Sequence, residues 1–67
     1  MKKFCEILRE LRSQKGITLQ ELAKSCGLST RTMIRYEQGE RLPDIETAKI
    51  IADYFDVSLD YLVGRER

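Results

Sequence analysis

Apolar residues recur along this chain at helical spacing, and nowhere do they settle into the two-residue alternation of a strand. Phe4, Ile7, Leu8 and Leu11 occupy i, i+3, i+4 and i+7 and so share one face of a first helix, which Gly16 stops. Thr18 opens a second helix as N-cap, with Glu21 three residues on completing a capping box. Leu19, Leu22, Ala23 and Cys26 give that helix its buried side, and Gly27 ends it. Ser29 caps a third helix running to about Gln38, ahead of Gly39. Pro43-Asp44 marks a fourth entrance, with the Asp44 charge well placed at the positive helix end. Ile45, Ala48, Ile51, Ala52 and Phe55 form the apolar face of that helix. Ser58 then caps a last short turn carrying Leu59, Leu62 and Val63. The pattern predicts an all-α, compact five-helix fold in a single domain over residues 1–67.

Only Cys26-Gly27-Leu28-Ser29 separates the second and third helices. A short glycine-containing turn between two short helices is a helix-turn-helix connection, here over about residues 18–38, whose second helix can enter a DNA major groove. Ala23 belongs where the two helices cross, since a larger side chain would hold them apart. Gly27 supplies the turn at positive φ, where other residues meet a steric cost. Leu28 and Met33 close the core beneath the third helix.

Composition removes several alternatives. At 67 residues, 42% hydrophobic and 34% charged, the chain reads as one small soluble domain. No apolar run approaches the roughly 20 residues of a membrane span. The basic start Met1-Lys2-Lys3 is not followed by a signal-peptide core, because Glu6, Arg9, Glu10 and Arg12 interrupt it, so a cytoplasmic location is expected. Two cysteines make no disulfide framework, and without histidine neither a Cys/His zinc site nor a histidine-based triad can form. The carboxylates are spread over caps and solvent faces, and no glycine-rich phosphate loop is present. These features predict no enzyme, no metal, no cofactor and no small-molecule ligand. The net charge is +1, but its distribution is polarised: residues 1–42 carry nine basic and five acidic side chains, residues 43–67 three and six. One basic face can then meet a polyanion while the chain stays soluble.

From Ile7 to Gly64 the chain resembles the lambda-repressor-like, Cro-type helix-turn-helix family, also known as the XRE family. The resemblance rests on Leu8-Arg9-Glu10-Leu11-Arg12, Gly16-Ile17-Thr18, Leu22-Ala23, Gly27-Leu28-Ser29, Tyr36-Glu37-Gln38-Gly39, Pro43, Ala52 and Val57-Ser58-Leu59-Asp60-Tyr61-Leu62. It implies a five-helix domain that binds double-stranded DNA. The expected function is a sequence-specific transcriptional regulator, a repressor holding a palindromic operator as a dimer.

A recognition helix reads bases from its N-terminal turn and one outward stripe, which here gives Thr30, Arg31 and Arg35, joined by Ile34. Arginine can bridge guanine O6 and N7, and Thr30 can offer a hydroxyl to a base or its methyl group to thymine. Phosphate contacts are expected from Ser29, Gln20, Gln38 and Arg41, while the Tyr36 ring packs and its hydroxyl reaches toward backbone or phosphate; Lys2 and Lys3 form a frayed terminus. The resemblance also implies a salt bridge between Arg12 and Glu37. Leu19 departs from the family, whose members often carry glutamine there; Ile34 stands where a small polar residue is common. Ile50 and Tyr54, with Tyr61 nearby, could make a small symmetric contact in a homodimer. A protein-interaction module, antitoxin-like or regulator-binding, is the competing reading. It rests on Ile34 and the near-neutral charge, and it predicts weak, salt-insensitive DNA binding.

Overall fold

A computed structural model describes residues 3–64. Lys2, expected in the frayed basic terminus, lies outside the described residues. Five helices follow one another along the chain: α1 (Phe4–Lys15), α2 (Leu19–Ser25), α3 (Thr30–Gln38), α4 (Ile45–Phe55) and α5 (Leu59–Leu62).

Local chemistry sets most of the boundaries. Thr18 Oγ1 accepts from the Glu21 amide at 3.1 Å, while Glu21 Oε1 accepts from the Thr18 amide at 3.1 Å, the reciprocal pair of a capping box. Ser29, Asp44 and Ser58 each accept from the amide three residues on, capping α3, α4 and α5. α1 starts at Lys3 without a side-chain cap and ends at Gly16 in the left-handed conformation. The turn after α2 depends on Gly27 at φ 71°, which lets the Leu28 amide reach back to the Ala23 carbonyl at 2.8 Å. Asp56 closes α4 at φ 57°, a conformation that aspartate tolerates better than most residues.

Each helix sends one fully buried large side chain to a common centre: Leu8, Leu22, Met33, Ile51 and Leu62. Phe4, Ile7 and Leu11 complete the α1 face, and Ala23 is 1% exposed beneath the α2–α3 crossing. α3 packs against both α1 and α2, and α5 lies on α4 and α1. Three of the predicted apolar-face positions differ. Ile45, assigned to the α4 apolar face, is 70% exposed, because the first turn of α4 projects past the core that Ala48, Ile51 and Ala52 reach. Phe55 and Leu19 are half-buried at the rim of the core instead of inside it.

Candidate nucleic-acid interface

α3 is two-sided. Met33, Tyr36 and Glu37 face inward, and Arg31, Ile34, Arg35 and Gln38 face out, with Thr30 and Thr32 partly covered. Of the stripe expected to meet base edges, Arg31, Ile34 and Arg35 face out, the isoleucine 38% exposed, while Thr30 is partly covered. At the start of α3 the Ser29 hydroxyl accepts from the Thr32 amide at 3.1 Å and donates to Thr32 Oγ1 at 2.9 Å. The Ser29 side chain is thus committed to the cap, so an anion there would meet the amide end of α3 more readily than a free hydroxyl. Thr32 was not among the expected site residues, although the Ser-x-x-Thr spacing was readable as a cap with a second hydroxyl. Gln20, Gln38 and Arg41 are all exposed.

The Tyr36 ring packs as expected, and only the reach of its hydroxyl to a phosphate is revised. Tyr36 is 3% exposed, with its ring edge-to-face on Phe4 at 5.9 Å, so it is a core residue and offers almost no surface to a phosphate. Its i, i+3 relation to Met33, on the helix face that meets α1, is the signal that favoured packing.

Behind α3 sits a charged clamp. Arg12 Nε lies 2.6 Å from Glu37 Oε2 and Nη2 lies 3.1 Å from Oε1, a two-pronged pair, while Nη1 donates to the Ile17 carbonyl at 3.2 Å. One guanidinium therefore joins α1, the α1–α2 turn and the end of α3. Glu37 is 7% exposed and Arg12 27%, so the carboxylate is the more deeply desolvated partner. Donating to the Glu37 carboxylate raises the Arg12 pKa above its ordinary value, against the opposing effect of burial. Asp44, past the loop that leaves α3, is held below the usual carboxylate range, chiefly by hydrogen bonds from the Thr47 side chain and amide, with a smaller pull from Arg41.

The three residues expected at a dimer contact are not equivalent. Tyr54 is half-buried, edge-to-face on Phe55 at 5.1 Å, with Lys15 Nζ 4.9 Å from its ring centroid. Ile50 and Tyr61 remain 48% and 39% exposed. Among the described residues no cluster of three or more His, Cys, Asp or Glu could hold a metal, and no helix is long and apolar enough to cross a membrane.

Two short helices joined by a glycine turn, the second buried on one side and basic on the other, define the class of helix-turn-helix DNA-binding domains. The helix-turn-helix family model matches residues 8–62, and the chain belongs to that family, in its lambda-repressor-like, XRE-type branch. It is 42% identical over 60 residues to the HTH-type transcriptional regulator AnsR of Bacillus subtilis, covering 90% of this chain and 52% of AnsR. The crystal structure of a transcriptional regulator from Listeria innocua superposes with a TM-score of 0.89 at 37% identity, over 97% of this chain and 61% of that one. The P22 c2 repressor, solved in complex with a synthetic operator, superposes with a TM-score of 0.91 over 98% of this chain and all of that one; at 24% identity this likeness speaks for the fold. The chain spans about half the length of the curated relatives it matches.

Proposed function

We propose that this chain binds double-stranded DNA sequence-specifically and regulates transcription, as a cytoplasmic repressor holding a palindromic operator as a dimer, without catalytic activity of its own. The observation that carries this reading is the outward face of α3, where Arg31, Ile34 and Arg35 stand free of the core while Met33 and Glu37 anchor the opposite side. An arginine presented this way can grip guanine O6 and N7, and each such bidentate contact contributes about 1–3 kcal/mol of discrimination. Thr30 and Ile34 would add contacts to the same base pairs. Gln20, Gln38, Arg41 and the capped amide end of α3 at Ser29 would hold the backbone and set the register. Arg12 and Glu37 would keep α3 at its angle.

Selection from a pool of random duplexes, followed by salt titration of the enriched sequence, tests the reading. An enriched palindrome whose affinity falls steeply with salt supports it. Binding that enriches no sequence and ignores salt refutes it and favours a protein partner on the Ile34 face.

A further inference from the structure

Ile34 stands on the outside of α3, 38% exposed, and belongs neither to the core nor to the apolar side chains packed against it. Burial does not account for an isoleucine there. Helix propensity does not either, since a β-branched residue loses side-chain freedom inside a helix. The helical turn of about 3.6 residues sets Ile34 in a row with Thr30, four residues earlier, beside a basic row made by Arg31 and Arg35, again four residues apart. The outward face of α3 thus carries a basic row and, along one edge, a row with apolar groups. Thr30 is partly covered, so Ile34 is the more accessible member of that second row.

The major groove offers such a side chain a single partner. Each base edge there presents hydrogen-bond donors or acceptors, and the only apolar group is the C5 methyl of thymine. Against any other edge Ile34 would displace water and return no hydrogen bond, which weakens binding. Against the methyl it removes apolar surface from water on both sides. The spacing fits as well. Arg31 and Ile34 are three residues apart, about 4.5 Å along the helix axis, between one and two base-pair steps of ~3.4 Å. With α3 in the groove, a guanine held by Arg31 leaves Ile34 over a neighbouring pair. A guanine–cytosine pair carries no methyl group of its own, so the apolar contact falls on that neighbour.

We infer that Ile34 reads the C5 methyl group of a pyrimidine beside the guanine gripped by Arg31 or Arg35, so that operator affinity depends on that methyl itself. In unmodified DNA the pyrimidine is thymine. A cytosine methylated at C5 carries the same group at the same place and is accepted better than plain cytosine. Cytosine methylation at one operator position therefore tightens binding. The inference rests on the DNA-binding reading and narrows the contact assigned there to Ile34.

The perturbation is made in the DNA, so the protein's fold is untouched. Each thymine of the selected operator is replaced in turn by deoxyuridine, which removes the C5 methyl and keeps the pairing edge. Affinities of the wild-type chain and of Ile34→Ala, its folding checked by circular dichroism, are read by fluorescence anisotropy. Deoxyuridine at one position of a half-site should weaken wild-type binding about three- to fivefold, the effect of burying one methyl group. Ile34→Ala should show no further loss at that position. With cytosine placed there, wild type should prefer the 5-methylated base about three- to fivefold, and the variant should not distinguish the two. A sequence-selective, salt-dependent chain indifferent to every deoxyuridine overturns the inference and leaves the DNA-binding reading standing. So does a deoxyuridine loss of equal size in wild type and Ile34→Ala, or one that Thr30→Ser abolishes instead. A chain that enriches no sequence refutes the DNA-binding reading, and this inference with it.

Discussion

Removing either end of the Arg12–Glu37 clamp should cost unequal amounts, and the inequality follows from burial. Arg12→Ala leaves the Glu37 carboxylate, 7% exposed, without its two donors, and it also frees the Ile17 carbonyl that Nη1 satisfied at 3.2 Å. Breaking a fully buried pair by deleting one partner costs about 3–5 kcal/mol. A fully exposed pair is worth about 0–1 kcal/mol. With Arg12 still 27% exposed, Arg12→Ala falls between these limits, at about 2–3 kcal/mol. Glu37→Ala strands the better hydrated partner, which can turn its guanidinium to water and keep Ile17, and should cost about 1–2 kcal/mol. In a domain of this size each kcal/mol lowers Tm by about 4–8 °C, so urea and thermal denaturation resolve the two variants. The double variant should be less damaging than the sum of the singles, because no charge is left buried alone. Equal costs, or an Arg12→Ala cost below about 1 kcal/mol, would refute the claim that desolvation of Glu37 dominates.

Other expectations follow from single sites. Arg31→Ala and Arg35→Ala should leave Tm unchanged while at least one of them weakens binding to the selected operator by about 1–3 kcal/mol, read by fluorescence anisotropy. Gly27→Ala meets no atom within 4 Å of the added Cβ, so its cost in denaturation should be the strain of φ 71° alone, about 1–2 kcal/mol. The Asp44 carboxyl is held below its ordinary pKa in the folded chain. Its contribution to stability is therefore complete above the unfolded carboxyl pKa of about 4 and is lost as pH falls through the lower folded value, a dependence that Asp44→Asn should remove from an acid titration. Burial pushes the Cys26 thiol up. Mass spectrometry after iodoacetamide treatment at mildly alkaline pH should find half-buried Cys5 modified well ahead of Cys26, with the difference abolished in denaturant.

Local signals carried most of the fold. The caps at Thr18, Ser29, Asp44 and Ser58 act over three residues, and the α1 face repeats at helical spacing, so both are visible in a linear string. Burial at the helix ends is not local. Ile45 has the right spacing from Ala48 and Ile51, yet whether the first turn of α4 touches the core depends on where α5 and α1 lie. Tyr36 posed the same difficulty in reverse: a ring with a polar tip suits core or surface alike until Phe4 is seen against it. The Arg12–Glu37 pair, 25 residues apart, came within reach only through the family resemblance, since no periodicity links the two.

The central claim is that the exposed stripe of α3 reads DNA sequence. Its most direct test is selection from random duplexes with the wild-type chain and with Arg31→Ala in parallel, each winner then titrated with salt. One enriched palindrome is expected, with an affinity that falls linearly in log–log plots against salt and a preference lost at defined base pairs in the variant. An unenriched pool, with weak binding indifferent both to salt and to Arg31, would contradict it.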